Sequence, residues 1–236
     1  MKQIRQQFPI PSGTTILTLE PLDFNLLGNT LKLQLSGIPC KNNKVVKIDY
    51  PASFKQTSID LGVDALRKAL VDNPGPKLIF AHSQGAQVCS RWLRYYADQP
   101  DAPPASELSF LLIGNPLRKY GGYIIGKPEV SPKFKTLGLP TVNTTKYLVT
   151  DIKMQYDGWA DWPGDNANGV AKQNARLGQN QRHCYGYLLA NPSDPLRKVY
   201  AENTTDYVML PGIPNDTNLS MLLIEAAYRR PERWFP

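Results

Sequence analysis

A short apolar segment of this chain leads directly into a serine between small residues, and a helical pattern follows at once. The segment Lys77–Ala81 is too short and too apolar to be other than a buried strand, and Ser83 lies just beyond it in Ala-His-Ser-Gln-Gly. From Gln84 to about Ala97, apolar side chains recur at helical spacing. A strand that becomes a helix within so few residues needs a tight turn, which limits the folds open to the chain.

Strand and helix patterns alternate elsewhere in the sequence. Apolar or alternating runs predict strands at Thr15–Leu19, Leu31–Leu35, Val45–Ile48, Leu108–Ile113 and Lys146–Ile152, with an edge strand at Asp206–Leu210. Helical spacing predicts one helix after the capping-box pair Thr57 and Asp60, ending at Asn73-Pro-Gly-Pro76, and a last helix at Leu219–Arg229. The Gly/Pro/Asn-rich stretches 117–142 and 164–181 are predicted to be loops that frame a site.

This alternation favours right-handed βαβ units. We therefore expect an α/β fold, a three-layer sandwich with a mostly parallel central sheet. The chain has 236 residues and no change of composition between its halves, so we expect a single domain over residues 1–236. Hydrophobic residues make up 42% of the chain and charged residues 20%, which is enough apolar material for a substantial core.

Charge, hydropathy and cysteine content indicate which partners, cellular location and metal content to expect. The net charge is +7 with basic residues spread along the chain, which favours a solvated surface over a dedicated anion site, and no nucleic-acid partner is expected. No apolar run reaches the ~18 residues of a membrane-spanning helix, and no signal peptide is recognised, so a cytoplasmic location in the producing cell is expected. The three cysteines lack metal-ligand spacing, which indicates free thiols, with one disulfide as the alternative, and no metal site.

The segment around Ser83 resembles the nucleophile elbow of α/β hydrolases, whose pattern is G-x-S-x-G. Ala81 replaces the first glycine, a change of one methyl group, and Gly85 keeps the second. The backbone N–H of Gln84 would stabilise an oxyanion at the helix N-terminus, and a second donor is expected from the loop 21–25. The alternative interpretation of Ser83 is a polar helix cap.

A serine nucleophile needs a general base, and the chain has two histidines. The side chain of His82 should leave the elbow on a different side from Ser83, which leaves His183 as the base. The usual chain order in this fold is serine, acid, histidine, which puts the acid between Ser83 and His183. Asp157 and Asp161 both follow the late strand; we favour Asp161, because a Gly-x-x-Asp turn could swing its carboxylate toward the histidine, and the other is expected to serve as a turn or cap.

Several short motifs resemble, in order, those of the mycobacterial PE-PPE-domain serine esterases, which belong to the cutinase-like α/β hydrolases. The similarity runs from about Val45 to Pro211 and includes Tyr50-Pro-Ala-Ser-Phe54, His82-Ser-Gln-Gly-Ala86, Gly114-Asn-Pro-Leu-Arg118, Gln155-Tyr-Asp-Gly-Trp-Ala-Asp-Trp-Pro163 and Asn203-Thr-Thr-Asp-Tyr-Val-Met-Leu-Pro211. The resemblance implies hydrolysis of carboxylic, acyl or lipid esters by Ser83, an aspartate and His183, without metal or cofactor. It also implies association with the mycobacterial cell envelope.

The chain departs from the family pattern at the elbow and in the first strand, which lacks the expected Gly-Thr, and three alternatives accompany the resemblance. Ala81 stands where the family has glycine, and His82 stands where it has tyrosine. The size of the chain is similar to that of mycobacteriophage esterases that cut mycolyl esters; a phage origin would place the protein in the virion or release it on lysis. The alternatives are an envelope lysin of that kind, an acyltransferase, and an inactive virion- or envelope-binding module on a hydrolase scaffold.

Apolar or aromatic residues expected to contact an acyl chain are Tyr123, Ile124, Trp159 and Trp162.

Overall fold

The computed structural model describes residues 3–23, 26–55, 57–130, 132, 138–164, 167 and 169–212. Its seven strands are β1 (Thr15–Leu19), β2 (Val45–Lys47), β3 (Lys77–His82), β4 (Leu108–Ile113), β5 (Leu148–Met154), β6 (Lys198–Glu202) and β7 (Thr205–Leu210). They form one sheet in the order β2-β1-β3-β4-β5-β7-β6, in which only β6 and β7 pair antiparallel. The predicted α/β fold with a mostly parallel sheet is confirmed.

Helices and turns cover both faces of this sheet. The α-helices are α1 (Ser58–Asp72), α2 (Gln84–Tyr95), α3 (Tyr123–Gly126) and α4 (Gly169–Gln181), and a π-helical turn at Arg182–Gly186 follows α4. Along β3, Ile79 faces a core shared with α1 and α2, whereas Leu78 and Phe80 face a second core that includes Leu31 and Tyr187. This alternation is what a strand buried on both faces produces, and it gives three layers. No helix in the described part of the chain has the length and apolar character to cross a membrane.

One predicted strand is wrong. Residues Leu31–Leu35 lie in two 3-10 segments, Thr30–Lys32 and Gln34–Cys40, on one face of the sheet. Leu31 and Leu35 are fully buried while Leu33, between them, is exposed, whereas in a strand all three side chains would face the same side. The alternation of apolar and polar residues could not by itself distinguish a strand from these 3-10 segments.

Two further expectations need correction. The predicted edge strand at Asp206–Leu210 is β7, which lies inside the sheet between β5 and β6. The predicted loop 164–181 contains α4, whose apolar stripe consists of small residues such as Ala171 and Ala175 and is therefore weak in the sequence. The stretch 117–142 contains α3 and a 3-10 turn at Pro128–Val130. The helix expected at Leu219–Arg229 lies outside the described residues.

The start of α1 differs in detail from the predicted capping box. Thr57 is the N-cap residue, but its side chain makes no capping hydrogen bond. The next hydroxyl, that of Ser58, accepts a hydrogen bond from the Ser53 N–H at 3.1 Å and donates one to Gln84 Oε1 at 3.2 Å. The start of α1 is therefore bonded to the residue that begins α2.

Candidate active site

Ser83 occupies the turn between β3 and α2, at the carboxyl edge of the sheet. Its φ of 53° and ψ of −111° form a backbone conformation that a residue with a side chain rarely adopts. The Ser83 N–H donates a hydrogen bond of 3.1 Å to the carbonyl of Ile113, the last residue of β4. The neighbouring strand therefore holds the turn in this strained conformation and leaves the hydroxyl accessible.

Gly85 makes this turn sterically feasible. A Cβ atom added at this position would lie 2.2 Å from the carbonyl oxygen of Leu19, a contact that no side chain tolerates. The end of β1 therefore packs directly against the first turn of α2. Ala81 is fully buried in β3, and its methyl group packs in the core on the α1 and α2 side. The elbow thus requires glycine after the serine, while alanine fits before it.

The side chains of Ser83 and His183 are in direct contact. Ser83 Oγ lies 2.8 Å from His183 Nε2, although 100 residues separate them in sequence. His183 lies in the π-helical turn after α4, and its imidazole is almost completely buried. Gly114, with a φ of 55°, leaves the space for it, because a Cβ there would be 2.9 Å from His183 Cε1. The predicted serine and histidine are therefore brought together.

The carboxylate against this histidine is that of Asp157. Both of its oxygens lie 3.0 Å from His183 Nδ1. Because an ionised carboxylate can only accept hydrogen bonds, Nδ1 must carry the hydrogen, which leaves Nε2 free to accept from the Ser83 hydroxyl. Two more donors hold Asp157, the Tyr187 hydroxyl at 2.7 Å and the Trp159 N–H at 3.0 Å.

The preferred candidate acid, Asp161, faces a different partner. It lies 2.7 Å from the ammonium group of Lys153, a completely buried residue of β5, and accepts a 2.9 Å hydrogen bond from the Tyr156 N–H. A buried ammonium group requires an anionic neighbour, and Asp161 is that neighbour. The expectation that the Asp161 carboxylate, and not that of Asp157, turns toward His183 is therefore wrong.

Electrostatics keep the Asp157 carboxyl ionised. Burial by itself would raise its pKa, but the charge and hydrogen bond of His183, with the bonds from Tyr187 and the Trp159 N–H, bring the pKa below its ordinary value. Burial and the neighbouring Asp157 charge raise the pKa of the Tyr187 phenol well above its ordinary value. Tyr187 therefore remains a proton donor to the carboxylate.

Tyr187 is a site residue that the sequence analysis missed. Its hydroxyl donates to Asp157 and accepts a 3.0 Å hydrogen bond from the Met154 N–H at the end of β5. It therefore connects the strand that precedes Asp157 with the turn that contains His183. The signal available in the sequence was its position four residues after His183, about one helical turn, in an apolar setting.

His82 lies beside the site without joining the chain of hydrogen bonds between Ser83, His183 and Asp157. Its ring centroid is 4.7 Å from that of His183, and its side chain is completely buried. Burial, assisted by the charge of His183, lowers the pKa of His82 from 6.5 to about 3. His82 is therefore neutral at ordinary pH, which agrees with the expectation that it does not serve as the base.

This lowered pKa predicts a loss of stability in acid. Between pH 6.5 and about 3 the unfolded chain binds a proton at His82 that the folded chain does not, so the free energy of unfolding falls as the pH falls. From pH 7 to pH 4.5 the loss from this one group should be about 2 to 3 kcal/mol. Urea unfolding of the native protein and of a His82→Leu variant would measure it. The variant should lose less stability over this interval, and identical losses would contradict the prediction.

The predicted oxyanion donor, Gln84, is the first residue of α2. The Gln84 N–H is among the first four of the helix, which have no carbonyl partner within it. Its side chain is fixed by the Ser53 carbonyl at 3.0 Å and by Ser58, so the loop after β2 supports this residue. Of the predicted second-donor loop, Pro21, Leu22 and Asp23 line the cavity described below, and Phe24 and Asn25 lie outside the described residues.

A cavity of about 550 Å³ opens above Ser83 and His183. Its wall is mostly apolar and includes Leu27, Leu33, Phe54, Ile59, Pro116, Trp159, Tyr185 and Leu188. Of the four residues expected to contact an acyl chain, Trp159 alone is in this wall. Ile124 is completely buried, and Tyr123 packs edge-to-face between Trp159 and Trp162. Tyr123 therefore packs behind Trp159, and its N–H also donates a 2.8 Å hydrogen bond to the Trp159 carbonyl.

The described residues contain no group of three or more histidine, cysteine, aspartate or glutamate side chains that could hold a metal ion. Cys40, Cys89 and Cys184 are free thiols. At this site a hydroxyl, an imidazole and a carboxylate are arranged in sequence, and a helix N-terminus lies beside the hydroxyl.

Comparison with known proteins places the chain in a family. It is 33% identical over 153 residues to esterase PE16 of Mycobacterium tuberculosis (strain ATCC 25618 / H37Rv), a match that covers 62% of this chain and 26% of that protein. It is 27% identical over 168 residues to SL1278 acyltransferase Chp1 of the same strain, covering 67% of this chain and 40% of that protein. The matched region thus spans less than half of either relative.

Among solved structures, a cutinase-like protein from Cryptococcus sp. matches with a TM-score of 0.46 and 17% identity, over 76% of this chain and 97% of that one. The sequence profile described as the PE-PPE domain matches residues 38–216, which is most of the chain and includes Ser83, Asp157 and His183. The protein therefore belongs to the PE-PPE domain family.

Proposed function

We propose that this protein is a serine esterase that hydrolyses carboxylic esters through an acyl-enzyme. In this proposal Ser83 is the nucleophile, His183 the general base and acid, and Asp157 the carboxylate that orients the imidazole. The observation that supports it best is the 2.8 Å contact between Ser83 Oγ and His183 Nε2, with Asp157 on the opposite ring nitrogen. This is the arrangement that activates a hydroxyl whose own pKa is far too high for it to be ionised at neutral pH.

The proposed reaction has two halves. In the first, the Ser83 hydroxyl transfers its proton to His183 Nε2 while Oγ attacks the ester carbonyl carbon, and the Gln84 N–H donates to the oxyanion. The tetrahedral intermediate collapses, the alcohol leaves with the proton from His183, and the acyl group stays on Ser83. In the second, water gives a proton to the same imidazole as its oxygen attacks the acyl carbon, and His183 then returns that proton to Ser83 Oγ as the bond from Oγ to the acyl carbon breaks and the acid leaves. Asp157 holds the Nδ1–H tautomer throughout.

The cavity supports an apolar acyl group as the part of the ester that binds beside Ser83. Its wall is mainly aliphatic and aromatic, and its volume of about 550 Å³ is within the range typical of small-molecule sites. The wall also contains polar side chains, which include Ser83, Gln84 and His183 at the reacting atoms and Thr30, Gln34, Gln179 and Asn180 elsewhere. An acyl or lipid ester fits this mainly apolar surface better than a highly charged substrate.

Acyl transfer is the second candidate, since a relative is named as an acyltransferase. It would use the same acyl-enzyme, with an alcohol in place of water in the second half. Product analysis in the presence of added acceptor alcohols separates the two: free acid as the main product supports hydrolysis, whereas a new ester formed at the expense of the acid supports transfer.

Phosphonylation of the native protein tests the proposal without knowledge of the natural ester. A fluorophosphonate should label one residue, Ser83, and should abolish hydrolysis of p-nitrophenyl esters of graded chain length in proportion to the label incorporated. Peptide mapping identifies the residue. The proposal fails if no adduct forms or if the adduct is on another serine while esterase activity remains.

A further inference from the structure

A set of large apolar side chains surrounds the mouth of the cavity and is exposed to solvent. We call Leu26, Leu27, Leu33, Phe54, Tyr185 and Leu189 the apolar rim; each is between 56% and 83% exposed. Leu27, Leu33, Phe54 and Tyr185 line the cavity itself, and the other two adjoin lining residues in sequence. The four lining side chains come from three separate segments of the chain, so the fold gathers them at this one place.

The segment that contains Leu33 has a strained backbone. Leu35 and Ser36 have φ values of 52° and 56°, in the left-handed region, which costs roughly 1 to 2 kcal/mol for each residue. Their N–H groups donate to the carbonyls of Tyr187 and Leu188 at 2.7 and 2.9 Å. These bonds join the segment that contains Leu33 to the segment that contains Tyr185 and Leu189. The outward position of these side chains is therefore part of a fixed structure.

Exposed apolar groups gathered at one place mark a surface that another phase or molecule covers. Burial of one such side chain is worth about 1.5 to 3 kcal/mol, so several together can supply substantial binding energy. The occupant must also leave the way to Ser83 open, because the rim encloses the entrance to that residue. A folded protein seated on the rim would close the entrance, whereas a lipid surface can supply the ester through it.

The charges beside the rim indicate the kind of lipid. Lys32 precedes Leu33 and Lys55 follows Phe54, and both lysine side chains are exposed. Asp23 is the acidic residue in the cavity wall, and the whole chain has a net charge of +7. Each lysine near an anionic membrane surface contributes about 1 kcal/mol of attraction.

We propose that the apolar rim inserts into the surface of an assembled lipid with anionic headgroups, so that an ester enters the cavity from the lipid side. The binding step goes beyond the proposed function, and only its catalytic consequence depends on that function. Binding is therefore measured in a Ser83→Ala background, in which chemistry plays no part.

The test is sedimentation with phosphatidylglycerol vesicles. A Leu33→Ser/Phe54→Ser variant should bind them at least about tenfold more weakly than the parent, since two inserted side chains are lost. The matched control is Leu61→Ser/Val71→Ser, which removes two exposed apolar side chains of α1 that are not in the cavity wall. It should change binding less than about twofold, within the range expected for surface substitutions. Thermal unfolding should be similar for both variants, because all four positions are exposed.

Charge is tested with the same parent protein. Binding should weaken as salt is raised from about 50 mM to about 500 mM, which shortens the screening length, and phosphatidylcholine vesicles should bind less strongly than phosphatidylglycerol vesicles. Equal binding to the two lipids would overturn the charge component. The whole proposal fails if the rim and control variants lose binding equally, if the rim variant loses none, or if the parent forms rim-dependent dimers and binds no vesicles.

The catalytic consequence separates this proposal from the esterase proposal. With Ser83 restored, the Leu33→Ser/Phe54→Ser variant should lose at least about tenfold more rate on an ester embedded in phosphatidylglycerol vesicles than on a soluble short-chain ester, because both side chains line the cavity but only the embedded ester needs the insertion step. If Ser83→Ala binds vesicles and the native protein hydrolyses neither ester, the esterase proposal fails and the binding proposal stands. If both esters are hydrolysed and neither rate depends on the rim, the binding proposal fails alone.

Discussion

Replacement of Ser83 by alanine is expected to lower kcat for p-nitrophenyl ester hydrolysis by about 10⁶-fold, to a level set by substrate binding and the oxyanion donor alone. The physical reason is that, in the proposed reaction, His183 takes the proton of the Ser83 hydroxyl across their 2.8 Å contact. Without the hydroxyl, no acyl-enzyme can form. Steady-state kinetics on the purified variant would measure the loss.

The fold should survive this substitution. Alanine keeps a Cβ at the strained position, so the backbone cost at a φ of 53° is unchanged, and the lost side-chain hydrogen bond is worth about 1 kcal/mol. Urea unfolding should therefore show a small change in the free energy of unfolding. Ser109→Ala, a substitution in β4 away from the site, is the matched control and should retain activity. Retention of more than about 1% of native kcat by Ser83→Ala would contradict its assignment as the nucleophile.

The two aspartates should give opposite results when each is changed to asparagine. Asp157→Asn is expected to lower kcat by about 10⁴-fold with the fold retained. Asp157 accepts from three donors, and an asparagine can accept at one atom only, so its amide N–H₂ would face His183 Nδ1 and favour the wrong tautomer. The imidazole would then carry its hydrogen on Nε2 and could not accept the Ser83 proton.

Asp161→Asn should mainly affect stability. Removal of this carboxylate leaves the ammonium group of Lys153 completely buried without its partner at 2.7 Å. Such a change typically costs about 3 to 5 kcal/mol of unfolding free energy. We expect the lower end, about 3 kcal/mol, because burial lowers the pKa of Lys153 and so makes its neutral form easier to reach. The kcat of the folded fraction should fall less than about tenfold. Kinetics and urea unfolding of both variants together show which aspartate acts in catalysis and which stabilises the fold. A 10⁴-fold loss in Asp161→Asn with normal kinetics in Asp157→Asn would transfer the role to Asp161.

The structural features that the sequence predicted correctly are those set by residues close together in the chain. The apolar run Lys77–Ala81, the small residues around Ser83 and the helical spacing after it predict a strand, a turn and a helix, because each is set by local backbone sterics and by the period of side-chain burial. The scarcity of histidine then pointed to His183, which lies 2.8 Å from Ser83 in the structure.

The tertiary structure alone decided which aspartate meets the histidine and which leucine faces solvent. Asp157 and Asp161 lie in one turn, and their partners, His183 and Lys153, are brought there by a helix and a strand that the turn itself does not specify. Leu33 has apolar neighbours two residues away on both sides, yet it is exposed because the 3-10 segment packs on the sheet through Leu31 and Leu35. Local periodicity reports burial only when the type of backbone is known, and contacts between distant segments depend on how the elements pack.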